Sequence, residues 1–185
     1  MRKPTRADLA AAHNSVTVPD LLAPNLRILF VGINPGLYSG ATGHHFARPG
    51  NRFWPALHRS GLTPRLLHPS EEQKLLEHGI GITKLVHRAT ATAAELSPEE
   101  FRAGAATLAR ILRRLRPRCV AFLGVGAYCH AYGLKRAPIG RQEEPLAGSD
   151  LWVLPNPSGL NANYQLPDFV RMFRQLLRSV ERGSP

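Results

Sequence analysis

Cysteine is nearly absent: Cys119 and Cys129 are the only two in 185 residues. Two thiols cannot build a four-thiolate iron–sulfur or zinc centre, and both are expected to be reduced and buried. Long apolar runs are missing, so no segment is expected to span a bilayer. The opening MRKPTRADL also lacks the apolar stretch of a signal peptide, which makes a cytoplasmic setting with no membrane partner the expectation. Carboxylates are scarce. Thirteen Asp and Glu stand against 24 Lys and Arg, for a net charge of +11 and a pI near 10.8. From Leu21 to Ser70 there is no acid at all, while Arg27, Arg48, Arg52, Arg59 and Arg65 fall there. Such a distribution suits a polyanion such as nucleic acid. The chain has no G-x-S-x-G elbow, no P-loop lysine and no G-x-G-x-x-G fingerprint. Acyl transfer on a nucleophile elbow and phosphate cradling by a glycine-rich loop lose support accordingly.

What the chain does have is a pair of Asn-Pro corners. Ile28 to Val31 is a short apolar run that reads as a buried strand and ends at Gly32-Ile33-Asn34-Pro35-Gly36. Pro35 fixes its own φ and pushes Asn34 toward an extended conformation, so a polar amide is held where the strand stops. The pattern recurs at Leu151 to Leu154, followed by Pro155-Asn156-Pro157-Ser158-Gly159-Leu160. If both strands run parallel in one sheet, both corners lie at its carboxyl edge, where open α/β sheets place their ligand crevice.

Between and around these corners, strand and helix signals alternate. Residues 1–20 read as a basic, loosely held lead-in with a short helix over Ala7 to His13, and Leu37 to Gly50 as a long loop. Asn51 is placed to cap a helix carrying Phe53, Trp54 and Leu57. Ser70 with Gln73 forms an apparent capping box for a helix over Glu71 to His78. Gly81 to His87 reads as extended. Ser97-Pro98-Glu99-Glu100 is the strongest helix start, opening an apolar face of Phe101, Ala105, Leu108, Leu112 and Leu115. Cys119 to Leu123 is a further buried strand, and Pro167 opens a closing helix with Phe169, Phe173, Leu176 and Val180 on one side. The expected fold is α/β: one domain over residues 1–185, a three-layer α/β/α sandwich with a mostly parallel central sheet.

The corners hold no carboxylate pair, which argues against a two-carboxylate glycoside hydrolase. Adjacent His44 and His45 do not present two ligands to one metal from a helix face. What remains is amides, backbone donors at strand ends, aromatic loop residues and a basic surround. An amide is no general base, but it can hold a water in line when the scissile bond breaks largely by itself and the leaving group is held as an anion. From the residues alone the chemistry is that of a polar crevice compatible with nucleic acid. A non-catalytic nucleic-acid-binding module of the same fold meets that description equally well.

GINPG, then FARPGNRFW, then GITKLV, then LWVLPNPSGLNA, in this order, resemble the mismatch-specific uracil-DNA glycosylases, relatives of thymine-DNA glycosylase. The likeness runs from about Val18 to the last helix. It implies a monomeric enzyme, without cofactor or metal, that flips uracil or another modified pyrimidine out of G·U-mismatched double-stranded DNA. The N-glycosidic bond is then hydrolysed to leave an abasic site in base excision repair, with the strand uncut. Roles follow by position. Asn34 corresponds to the catalytic residue that positions water. Phe46 stacks on the flipped base, the backbone N–H groups of Ile33 and Phe46 meet its polar edge, and Asn156 completes the base pocket. Leu160 is the wedge that fills the vacated stack, with backbone at Gly159 and Asn161 meeting the widowed guanine. Arg48, Arg52 and Lys84 are candidate phosphate contacts. Three positions depart from the family pattern: Ala162 stands where some relatives carry Arg, Tyr38 where a small polar residue is familiar, and His87 where some have Asp. Asparagine rather than aspartate at 34 implies slower chemistry than in the general uracil-DNA glycosylases.

Overall fold

A computed structural model describes residues 2–182. Five strands form one sheet in the order β2-β1-β3-β5-β4. They are β1 (Ile28–Gly32), β2 (Ile80–Lys84), β3 (Cys119–Leu123), β4 (Gly140–Arg141) and β5 (Asp150–Leu154). All neighbours run parallel except the short edge strand β4, which lies antiparallel on β5. The helices are α1 (Arg6–Ala11), α2 (Leu37–Thr42), α3 (Phe53–Ser60), α4 (Pro98–Leu115), α5 (Val125–Tyr132) and α6 (Leu166–Arg182).

The three layers follow from alternation along the strands. Successive strand side chains point to opposite faces, and here both faces are apolar. Ile28 and Phe30 of β1, with Ile80, Ile82, Ala121 and Leu154, join a core built with α3 and α6. Leu29 and Val31, with Val120, Phe122 and Val153, join a second core built with α4 and α5. That is why the strands read as continuous hydrophobic runs. On the first face Phe30 meets Phe53 edge-on at 5.2 Å, and Phe173 lies against both. Helix α4 begins as its sequence dictates: Ser97 accepts from the N–H of Glu100, and the Glu100 carboxylate accepts from the N–H of Ser97. Its Gly104 lies on the backbone of Leu85, so close that a β-carbon would collide with the Leu85 carbonyl.

Three local expectations need correction. The lead-in is tied down rather than loose. Thr5 and Asp8 cap α1 reciprocally, the N–H of Asn14 donates to Ala89 O at 2.8 Å, and the N–H of Ala89 donates to Ser15 O at 2.9 Å. Residues 37–50 are not all loop, because α2 forms over Leu37–Thr42. No polar cap announces it, and Gly40 sits mid-helix for a tertiary reason: a β-carbon there would come within 2.8 Å of the Ala89 methyl and 3.3 Å of the Ala12 methyl. Finally, Pro69–His78 is a 3₁₀ segment whose cap is His68 with Glu71, two residues earlier than the Ser70/Gln73 pairing.

Candidate nucleic-acid interface and active site

Because β1 and β5 run in the same direction with β3 between them, both Asn-Pro corners emerge at one sheet edge. They face the same cavity, about 760 Å³, which Asn34 and Asn156 both line together with Ile33, Phe46, Leu160 and Asn161. No aspartate or glutamate is among the lining residues, whereas Lys3, Arg48 and Lys84 are. The cavity therefore offers no carboxylate as a general base, and Lys3 and Arg48 suit it to an anion.

Asn34 is clamped by one end. Its Nδ2 donates to Thr90 Oγ1 at 2.7 Å and to the Arg88 carbonyl at 3.0 Å, with a longer approach to Pro35 O at 3.2 Å. Thr90 Oγ1 in turn donates to Thr92 O at 2.8 Å, so its lone pair, not its proton, is what Asn34 meets. Acceptors around one end of an amide fix which end is nitrogen. The carbonyl oxygen, Oδ1, is consequently the free end, and among the described residues nothing donates to it. The segment that does the clamping lies alongside the corner: the N–H of Val86 donates to Ile33 O at 2.9 Å and that of Thr90 to Pro35 O at 3.1 Å. Arg88 is held by a two-pronged ion pair to Glu100, at 2.6 and 2.9 Å. The Arg88 side chain foremost, then the N–H of Ser97, pulls the Glu100 carboxyl down to about 2.

The aromatic wall is strained into place. Phe46 has φ +51°, a left-handed conformation uncommon for a bulky residue, and such outliers gather at functional sites. Its ring lies on Phe53, centroids 4.1 Å apart and planes 30° off parallel. The preceding residues explain how the strain is held. Glu72, buried, accepts from the His45 N–H at 2.9 Å, its Oε2 lies 2.9 Å from His45 Nδ1, and its Oε1 lies 3.1 Å from His44 Nδ1. Burial pushes the Glu72 carboxyl up, but the hydrogen bonds from His45 and His44 outweigh it and leave the carboxyl below its usual range. Trp54, a core residue, adds a bond from its indole N–H to His45 O at 3.2 Å. The two histidines thus serve one buried carboxylate.

The second corner is a loop braced by the first half of the chain. Asn156 Oδ1 accepts from the N–H of Ser158 at 3.0 Å, and Asn156 O accepts from Asn161 Nδ2 at 2.9 Å, closing the loop on itself. Arg52 then grips it. Its backbone N–H donates to Pro157 O at 2.9 Å, and Nη1 reaches Ser158 O at 2.7 Å and Asn161 O at 3.1 Å. Its Nη2 reaches Gln165 Oε1 at 3.1 Å. Gly159 rests on Gly50, and a β-carbon there would come within 2.8 Å of Gly50 O. At the tip Leu160 is 70% exposed, the most exposed large apolar side chain among the described residues.

Two candidate phosphate contacts are corrected by these distances. Arg52 spends its guanidinium on loop carbonyls. Lys84 has a side chain only 3% exposed and donates to Asp20 at 2.6 Å, so it is a buried ion pair at the cavity's edge. Arg48 is exposed and lines the cavity, with no side-chain partner among the described residues. Tyr38 lines the cavity, while His87 and Ala162 do not. Thr90 and Gly50 carry work that reading the chain missed. Thr90 lies in a stretch with no pattern of its own, and Gly50 makes sense only once Gly159 is seen against it.

The geometry is matched by a family comparison: residues 19–180 fit the model of the Uracil DNA glycosylase superfamily. That span begins just before β1 and ends in α6, taking in the sheet, both corners and every residue named above as lining the cavity except Lys3. Members of that superfamily are DNA glycosylases, which cleave the bond between a base and its sugar. An acid-free cavity between two strand-end amides, fitted by this family over nearly its whole length, places the chain in the uracil DNA glycosylase superfamily.

Proposed function

We propose that this protein is a monofunctional, mismatch-directed uracil-DNA glycosylase that acts as a monomer on double-stranded DNA containing G·U pairs. It flips uracil, or a larger modified pyrimidine, into the cavity and leaves an abasic site in an uncut strand. The observation that carries this reading is the one-ended clamp on Asn34, which leaves Oδ1 without a donor among the described residues at a position lining a cavity shared with the second corner.

In this mechanism the N-glycosidic bond opens first and the sugar acquires oxocarbenium character. Asn34 Oδ1 accepts a hydrogen bond from a water and aims its oxygen at the anomeric carbon. The departing base carries the negative charge, and the backbone N–H groups of Ile33 and Phe46 hold it. A cavity free of carboxylates keeps that anion from repulsion. Phe46 stacks on the base, Asn156 closes the pocket, Leu160 occupies the gap in the duplex, and the backbone of Gly159 and Asn161 meets the opposing guanine. Flipping costs a few kcal/mol and least at a mispair, so part of the selectivity comes from the weakness of G·U itself.

The test is single-turnover excision from a labelled oligonucleotide with uracil opposite guanine, opposite adenine and unpaired. Asn34→Ala is expected to lower the G·U rate by about 10²- to 10⁴-fold, as for loss of a positioned catalytic group, with duplex binding kept. Salt-dependent binding with no base released by stoichiometric wild-type protein would instead mark a non-catalytic nucleic-acid-binding module.

A further inference from the structure

The family match begins at residue 19, yet the cavity has a wall that comes from before it. Lys3, Pro4, Leu9 and Val18 all line the same cavity as Asn34. We propose that the amino-terminal segment, residues 3–18, is a size-limiting wall of the base pocket, with Leu9 and Pro4 setting how bulky a 5-substituent on the pyrimidine is accepted. This inference rests on the glycosylase reading above and adds to it a determinant of substrate range.

Three observations support a wall rather than a passing strand. First, the segment is stiff. Its helix has a reciprocal Thr5–Asp8 cap, and Ala12 is buried against the Gly40 notch of α2. Second, it is hydrogen-bonded to its surroundings in both directions. The N–H of Asn14 donates to Ala89 O and that of Ala89 to Ser15 O, Thr17 Oγ1 donates to Gly40 O at 2.5 Å, and Arg88 reaches Asn14 Oδ1 at 2.9 Å. Ala89 sits between Arg88 and Thr90, whose carbonyl and hydroxyl hold the Asn34 amide. Wall and catalytic corner are thus fixed to one short segment and share its frame. Third, three of the four side chains the segment offers are apolar: Pro4, Leu9 and Val18 line the cavity along with Leu37 and Tyr38, and Lys3 is the charged one. The polar edge of a pyrimidine seeks N–H donors, so an apolar wall suits its carbon edge, which carries any 5-substituent. A hydrophobic pocket discriminates such substituents through the space it leaves.

The experiment compares the full-length wild type with Leu9→Ala and Leu9→Phe on duplexes bearing uracil, 5-fluorouracil, thymine or 5-hydroxymethyluracil opposite guanine. Each variant's single-turnover rate is divided by the wild-type rate on the same substrate, so that leaving-group chemistry cancels. Leu9→Ala is expected to raise the normalised rate on the bulkiest substituent by about 10-fold or more relative to that on uracil, with Leu9→Phe moving the opposite way. A ratio independent of substituent size, whether unchanged or uniformly reduced in both variants, overturns the wall. Absence of excision by the wild type on every duplex overturns the glycosylase reading itself, a different result from an active enzyme indifferent to residue 9.

Discussion

Replacing Arg52 by methionine keeps the apolar stem of the side chain and removes its fork. The backbone donation to Pro157 survives, but the bonds to Ser158 O, Asn161 O and Gln165 Oε1 are lost. The carbonyls set free are near the surface and water can satisfy them, so the folded protein should lose little stability. The larger effect is on order. Fixing one residue's backbone costs about 1–2 kcal/mol, and residues 158–161 are the stretch that the fork pins. Bonds within the loop, from Ser158 N–H to Asn156 Oδ1 and from Asn161 Nδ2 to Asn156 O, remain. Loosening of one or two residues, and not all of them, is therefore expected. About 2 kcal/mol must then be recovered whenever the loop enters a duplex, which is about 30-fold in kcat/KM at 1.4 kcal/mol per factor of ten. Single-stranded uracil needs no wedge, and its excision should change by less than about 3-fold, the loop's ordering cost being absent there. Single-turnover excision on paired and unpaired substrates reads the difference. The slope of log affinity against log salt separates this role from a phosphate contact, which would lower the slope by about one. Arg52→Lys adds a further check, since lysine keeps the charge but cannot fork to two carbonyls. Rescue by lysine, a lowered salt slope, or equal loss on single strands would refute the clamp.

Two further outcomes follow from other parts of the site. Leu160→Ala should leave thermal stability unchanged, because the side chain is 70% exposed, yet lower G·U duplex excision by about 10-fold or more, the 1.5–3 kcal/mol of burying a leucine among bases; equal loss on unpaired uracil would count against a wedge. Glu72, held below its usual pKa by His45 and His44 despite its burial, stabilises the fold above the unfolded carboxyl value near pH 4.3 and loses that contribution as pH falls through its folded value. Tm should thus fall more steeply with acid in the wild type than in Glu72→Gln once the pH drops below about 4.3, and parallel curves would contradict the assignment.

The sheet, α4 and α6 were legible in the chain because their signals are local. Continuous apolar strands, the Ser97-Pro98 start and the spacing of Phe169, Phe173, Leu176 and Val180 need no partner to be read. Both corners were legible for the same reason, since Asn-Pro at a strand end constrains its own backbone. What escaped depends on remote atoms. Helix α2 is glycine- and serine-rich, and its Gly40 is explained only by the methyls of Ala12 and Ala89. Arg52 read as a free cation because the carbonyls it serves lie more than a hundred residues away. Lys84 read as surface charge because alternation along a strand buried on both faces gives no warning of an inward ion pair with Asp20. The anchoring of the amino-terminal segment escaped because its hydrogen-bond partner, Ala89, lies some seventy residues away.

Why an amide should occupy the first corner follows from what surrounds it. The Arg88 carbonyl, the Pro35 carbonyl and the lone pair of Thr90 Oγ1 all present acceptors to one end of residue 34. A neutral NH₂ turns its two hydrogens toward these acceptors, the closest being Thr90 Oγ1 and the Arg88 carbonyl, while an ionised carboxylate would set lone pairs against lone pairs. In the mechanism proposed above, a weak catalytic group is therefore made effective by position. Gains from orientation can reach the size of those from acid–base chemistry, but only if the group does not move. Here immobility is spread over several parts of the fold: Thr92 orients Thr90, Thr90 and Arg88 orient Asn34, Glu100 holds Arg88, and the segment around Asn14 holds Ala89 between them. The same logic governs the second corner, where Arg52 and Gly50 fix a loop that has only an apolar tip to offer. With no carboxylate lining the cavity, the proposed chemistry at this edge of the sheet depends on holding two uncharged loops still, and the residues that do so come from the segment around Asn14, from Gly50 and Arg52, and from residues 88–100.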